Sequence, residues 1–260
     1  GMLINSLVVM LVSTALFSLP LPAALRINIG KVLGSILSAT WNFFTYRHWV
    51  FPRSSPAGEW PKNPLLPGLV SLIIPAYNEN QRLPLRLEGL AAKLPAHFSL
   101  EIIVVDDGST DGTAAQVEAI AQRFPLISCL SYQPNRGKGG AVNAGMRVAR
   151  GEYLLFCDAD DSFSRADIVR VVDRLKSGAE IAIACRQGSR KRRSQGERSL
   201  RTVLGKGFNL LVQGLFLPGL KDSQCGLKGF QRRVAEELFA RQRLEGFAFD
   251  VEILALARLM

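Results

Sequence analysis

The chain has 260 residues, with 32 Lys+Arg against 22 Asp+Glu, a formal net charge of +10 and 48% apolar residues. That is enough for one large domain with a sizeable core and a smaller element beside it. Four cysteines without CxxC spacing and two isolated histidines, His48 and His97, exclude a His-based zinc centre and read as buried, reduced thiols.

Mean hydropathy is +0.14, and the excess comes mainly from the first fifty residues. Met2–Leu19 is an uncharged run of 18 residues, nearly long enough to span a bilayer, and Pro20 and Pro22 break it. A second uncharged run, Val32–Tyr46, is bounded by Lys31 and Arg47, which can snorkel, with Trp41 and Trp49 near an interface. Residues 1–51 therefore predict a transmembrane helical hairpin; a buried amphipathic pair is the alternative. A signal peptide is not indicated, because neither a basic n-region nor a small-residue cleavage site is present. Residues 52–68 read as a linker, since Pro52–Pro67 holds five prolines among sixteen residues.

From Val70 the pattern alternates. Strands are expected at Val70–Pro75, Glu101–Asp106, Leu126–Tyr132, Tyr153–Asp158 and Ile181–Cys185, and helices at Gln81–Leu94, Asp111–Phe124, Gly139–Ala149 and Ala166–Lys176. Short Ile/Val/Leu runs separated by helices imply an α/β fold, with a mainly parallel sheet covered on both faces. Ligands of such sheets bind beyond the carboxyl ends of the strands.

Every chemistry-bearing motif falls at such an end. SLIIPAYNEN (Ser71–Asn80) turns at Pro75 and offers Tyr77 to stack on a base and Glu79 for ribose or base contacts. VVDDGSTDGT (Val104–Thr113) places Asp106 and Asp107 ahead of a turn, where a carboxylate can accept from a uracil N3–H; Asp111 reads as a helix cap. NRGKGGAVNAGM (Asn135–Met146) contains neither GxxxxGK[ST] nor GxGxxG, which excludes ATP P-loop and dinucleotide readings. Its glycines suit either anion contacts at a helix start, with Lys138 adding charge, or close helix packing.

FCDADDS (Phe156–Ser162) is the strongest local signal. Two carboxylates at a strand end are costly unless neutralised, and Asp158 and Asp160 together can hold one Mg2+ or Mn2+ that bridges a diphosphate. Haloacid-dehalogenase phosphatases use the same spacing, but their nucleophilic Asp belongs on the first strand rather than the fourth. Between Arg186 and Lys206, eight bases face one acid, Glu197, a run suited to anionic head groups or phosphorylated ligands; a solvated loop is the alternative for Lys191–Arg193.

The order PAYNE, VVDDGSTDGT, NRGKGGA, DAD and GSR (Gly188–Arg190) closely resembles the family 2 glycosyltransferases of the GT-A fold. LKDSQCGLKGF (Leu220–Phe230) and GFAFDVEIL (Gly246–Leu254) look like the branch of dolichyl-phosphate β-glucosyltransferases and polyprenyl-phosphate relatives. The N-terminal hairpin is similar to part of a GtrA-type membrane domain. The resemblance implies a GT-A domain over residues 69–260, shortened at its C-terminus. It implies that Pro75, Tyr77, Glu79, Val105 and Asp107 line a nucleotide pocket, and that Asp158 and Asp160 bind the metal with Ala159 beside the donor. Arg190, Arg201 and Lys228 would hold the phosphates of donor and acceptor. Mannosyl relatives often carry Gln two residues after DAD; Ser162 stands there, which favours glucose.

The expected reaction is inverting transfer of a hexose, foremost glucose from UDP-glucose, to a polyprenyl or dolichyl phosphate at the cytosolic membrane face, with no nucleic-acid partner. Alternatives are mannosyl transfer from GDP-mannose, a hydroxyl-directed transferase of polysaccharide synthesis, and an inactive membrane scaffold. A sugar-1-phosphate nucleotidyltransferase should open with a Gly-rich basic loop, and PAYNEN is not one.

Overall fold

The computed structural model describes residues 63–160, 162–185 and 225–260. The expected hairpin, most of the linker, Arg190 and Arg201 lie outside them.

Strand β1 (Leu66–Ala76) leads into helix α1 (Leu83–Lys93), β2 (Leu100–Asp106), α2 (Thr113–Arg123), β3 (Ile127–Ser131), α3 (Lys138–Val148), β4 (Gly151–Cys157) and α4 (Arg165–Lys176). The short β5 (Ile181–Ile183) follows, and after residue 225 come β6 (Leu227–Gln231), α5 (Arg232–Arg241) and α6 (Phe249–Leu259). The strands form one sheet in the order β3-β2-β1-β4-β6-β5. Pairs β1·β2, β1·β4 and β2·β3 are parallel, whereas β6 runs antiparallel to both β4 and β5.

The pleat sorts side chains between two helical layers. Val70, Leu72, Ile74, Ile102, Val104, Leu155 and Leu227 join one buried cluster with Leu83 and Leu87 of α1, Val117 and Ile120 of α2, and Ile168 and Val172 of α4. On the other face Gly145 brings α3 onto the sheet so closely that a Cβ there would stand 2.5 Å from Ile73 and 2.9 Å from Val105. Phe156, Phe230, Phe239 and Phe249 fill that second layer, with ring centroids 5.5–6.3 Å apart.

Two features depart from the sequence expectation. Strand β1 begins at Leu66, inside the stretch read as linker. Pro67 falls where the ladder to β4 shifts register between Leu66 and Val70, so its missing N–H leaves no rung unmade. Gly68, at φ 76°, turns the chain there and donates its N–H to Glu152. The second is β6, which the sequence reading left irregular. The expected buried thiols are found at Cys157 and Cys225, Cys129 is half-buried and Cys185 is exposed; none forms a disulfide. Among the described residues no helix is long and apolar enough to cross a membrane.

Candidate active site

Strands β1, β2 and β3 step away to one side and β4 starts the other, so the sheet changes direction between β1 and β4. A crevice opens at the carboxyl ends on such a switch point. A cleft of about 410 Å³ lies there, lined by Pro75, Tyr77, Glu79, Arg82, Asp107, Asn135, Gly137, Lys138, Asp158, Ala159, Asp160 and Phe247, among others. Its size is that of a small-molecule site.

The β1 and β2 loops build one wall and are stitched together. Asn78, at φ 55°, accepts from the Thr110 N–H at 2.9 Å and donates its own N–H to Ser109 at 2.9 Å. The Glu79 N–H donates to Thr113 Oγ1, and the Asn80 N–H to Asp111. Asp111 also accepts from the N–H of Thr113, the first residue of α2, but the N-cap itself is Gly112 with no side-chain cap, so Asp111 braces the turn ahead of the helix instead of capping it as expected. Its pKa is lowered: desolvation opposes the effect, but the hydrogen bonds from Thr113 and Asn80 together outweigh it. Tyr77 is 51% exposed over the cleft. The Glu79 carboxylate pairs with Arg82 at 2.9 Å.

Asp107 organises the floor. Its carboxylate accepts from Tyr132 Oη at 2.7 Å and from the N–H groups of Arg136 and Gly137, each at 2.8 Å. It therefore fixes the loop that delivers Lys138 as well as facing the cleft. Burial, with the Asp107 carboxylate beside it, pushes the Tyr132 phenol up, so this hydroxyl remains a donor. Asp106, which precedes it, is turned to Ser131 and the Ser109 N–H.

The glycine run does what close packing requires. A Cβ on Gly139 would stand 2.7 Å from both Leu244 O and Phe249 Cβ, and one on Gly137 would stand 2.8 Å from Glu245 O. The Gly140 N–H donates to Glu245 O at 3.1 Å, occupying part of the helix terminus. Lys138, at the head of α3, points its ammonium to Asp158 at 2.7 Å and to Asp250 at 3.6 Å. Burial works to lower its pKa, but Asp250 and Asp158 hold it above the ordinary lysine value.

Asp158 and Asp160 stand at the end of β4. The Asp158 N–H donates to Gly226 O at 3.0 Å, and a Cβ on Gly226 would fall 1.8 Å from the Asp158 carboxylate. Asp160 accepts from the Ser162 N–H at 3.0 Å; burial opposes its ionisation, but the Ser162 hydrogen bonds, with Arg86 and Arg82 nearby, keep its pKa low. Among the described residues no group of three or more His, Cys, Asp or Glu side chains could cage a metal. Two carboxylates on an open cleft still fit a divalent cation whose remaining ligands are phosphate oxygens and water, the usual way Mg2+ is held.

Two expected pocket residues lie elsewhere. Val105 is fully buried beneath Gly145 of α3, on the sheet face rather than at the cleft. Lys228 is also fully buried; it donates to Cys225 O at 2.7 Å and to Asp250, and lies 5.3 Å from the Phe156 ring centroid. Burial lowers its pKa against the pull of Asp250. The register explains the position of Lys228, which faces Phe156 across the β4–β6 ladder, on the aromatic side of the sheet.

Sequence reasoning did not single out Arg82, Asn135, Phe247 or Asp250. The last is 3% exposed, yet it bridges Lys228 and Lys138. The signal available was two acids, Asp250 and Glu252, inside the apolar run of α6.

This sheet order, with a cleft over the β1/β4 switch and paired aspartates on its floor, defines an α/β protein of the GT-A type. Glucosyl-3-phosphoglycerate synthase from Mycobacterium tuberculosis, solved with Mn2+, UDP-glucose and phosphoglyceric acid, shares the fold at a TM-score of 0.54 and 19% identity, over 74% of this chain and 66% of that one. The family model "Glycosyl transferase family 2" matches residues 71–239, and the chain belongs to that family. It is 41% identical over 212 residues to dolichyl-phosphate beta-glucosyltransferase of Dictyostelium discoideum and 37% identical over 210 residues to that of Homo sapiens. These matches cover 76% and 73% of this chain but 64% and 63% of the relatives.

Proposed function

We propose that the chain is an inverting hexosyltransferase that moves glucose from UDP-glucose to a polyprenyl or dolichyl phosphate at the cytosolic face of a membrane. Relatives named dolichyl-phosphate beta-glucosyltransferase support glucosyl transfer to a dolichyl phosphate, and the cleft supplies parts that suit it. Tyr77 stacks on the uracil, and Glu79 and Asp107 face the nucleoside. Asp158 and Asp160 would hold Mg2+ or Mn2+, which when bound neutralises the diphosphate leaving group. Lys138 adds a positive charge at the same place, and Ala159, between the aspartates, leaves room for the sugar. Arg190 and Arg201 serve the phosphates from the basic segment. Lys228 serves one layer behind as a buried strut that holds Asp250.

One observation favours a phosphate acceptor over a hydroxyl. Among the described residues each cleft carboxylate already has a partner: Glu79 has Arg82, Asp107 has Tyr132 and two N–H groups, Asp158 has Lys138, and Asp160 has the Ser162 N–H. A hydroxyl acceptor needs a general base to take its proton. A lipid monophosphate is already an oxyanion at neutral pH and needs only positioning and charge neutralisation.

The test is transfer of label from a panel of UDP- and GDP-hexoses to polyprenyl phosphate in detergent, with Mn2+ or EDTA, for wild type and Asp158→Ala. Metal-dependent labelling from UDP-glucose, lost in the variant, is expected. Labelling from GDP-mannose alone would replace the sugar, labelling of a saccharide hydroxyl alone would replace the acceptor, and absence of any nucleotide binding would leave a scaffold.

A further inference from the structure

The cleft carries one large hydrocarbon side chain that is mostly exposed. Phe247 is 78% exposed on the cleft wall. Phe247 is also held in place from both sides. On one side the Leu244 N–H donates to buried Glu252 at 2.8 Å, Glu245 O accepts from Gly140, and the Glu245 carboxylate pairs with Arg136 at 2.6 Å. On the other side Phe249 is fully buried with its ring 5.5 Å from that of Phe156, and its N–H closes a turn onto Gly246 O. The backbone before and after the ring is thus pinned to the fold, and the ring is presented to solvent.

Tyr77 already provides a ring for the base, so a second, bare hydrocarbon ring is left for an apolar surface. The substrate with a hydrocarbon within a few bonds of a reacting group is a lipid phosphate. Resting on the proposed function, we infer that Phe247 is the contact for the first isoprene units of the acceptor, and so a specificity-determining residue that separates lipid phosphates from chain-free phosphates. Packing the ring on that hydrocarbon removes apolar surface of both partners from water.

The test uses the full chain in detergent with saturating UDP-glucose and varied geranyl, farnesyl and longer polyprenyl phosphates, for wild type, Phe247→Ala and Phe247→Leu. The Ala variant is expected to raise KM for the lipid phosphates about tenfold, the loss of one apolar contact of this size. Leu should recover most of that, and the UDP dissociation constant and KM for UDP-glucose should stay within twofold. An unchanged acceptor KM in Phe247→Ala overturns the inference while leaving the transferase reading intact. A rise in the UDP-glucose KM instead overturns it in favour of a ring stacked on the donor. A wild type that labels no lipid phosphate removes the underlying reading, and this inference with it.

Discussion

Lys138 Nζ stands 2.7 Å from Asp158 Oδ1, so the first residue of α3 and the first acid after β4 meet across the cleft floor. The pair joins the glycine-rich loop to the DAD sequence and sets an ammonium among the carboxylates of the cleft. Lys138→Met removes that charge while keeping most of the stem. Its kcat should fall about 10²-fold, the order seen when one preorganised donor is lost, with UDP affinity down about tenfold. Asp250 keeps Lys228, so the melting temperature should change little. Calorimetric UDP titration alongside thermal unfolding checks both halves.

Asp158→Asn and Asp160→Asn keep shape and remove charge. Each should lower kcat by roughly 10²–10³ and abolish the strengthening of UDP binding by Mn2+ expected of the wild type. UDP titrations with and without Mn2+ decide it; a variant whose affinity still rises with Mn2+ would place the cation elsewhere.

Gly226→Ala tests the same carboxylate from behind. A Cβ there would stand 1.8 Å from Asp158 Oδ2, and a side-chain end can swing aside where backbone cannot. The variant should therefore melt within a few degrees of wild type yet show the kinetic loss of Asp158→Asn. Normal turnover would mean that Asp158 works in another rotamer.

Lys228→Met separates a buried strut from a phosphate contact. Removing one partner of a buried pair costs about 3 kcal/mol, or very roughly 10 °C in a domain of this size. Below its melting point the variant should bind UDP within about twofold of wild type. A weakened UDP affinity at an unchanged melting temperature would show direct phosphate contact instead.

The capping box of α4 gives a pH signature. Ser164 Oγ accepts from the Asp167 N–H, and the Asp167 carboxylate accepts from the Ser164 N–H at 2.8 Å. Burial works to raise the Asp167 pKa, but the Ser164 and Arg170 hydrogen bonds hold it below the ordinary value. As the pH falls the unfolded chain takes up this proton first, so the stabilisation is present above about pH 4 and is lost below it. Asp167→Asn should cost about 1 kcal/mol at pH 7, with the gap to wild type closing toward pH 3 in urea unfolding curves.

Strands β1 to β4 were legible because each is a short apolar run stopped by Gly, Pro or acid, a pattern with few other uses. Strand β6 was not, because LKGFQ puts a lysine on an inward face and a glycine beside it. What makes it a strand is its setting, since a Cβ on Gly229 would meet Val171 at 2.7 Å and Leu175 at 2.9 Å. The same limit applies at the site. Asp158 and Asp160 announce themselves, as two acids at a strand end need a partner. Val105 and Lys228 could be numbered from a resemblance, but the face each presents follows from pleat parity and from which strand lies alongside. Phe247 carries no local signal; only the anchoring of residues 244, 245 and 249 turns it toward the cleft.

The reversed direction of β6 bears on how such a chain can diversify. Strand β5 ends, and β6 begins, at the same carboxyl edge of the sheet as Asp158, so the two described ends that flank residues 186–224 lie on one side of it. A connection between two ends fixed in this way can change in length and composition over evolutionary time without shifting the register of any strand, at a closure cost that grows only slowly with length. Sequence between Cys185 and Cys225 can thus vary while the strand ends that line the cleft stay as they are.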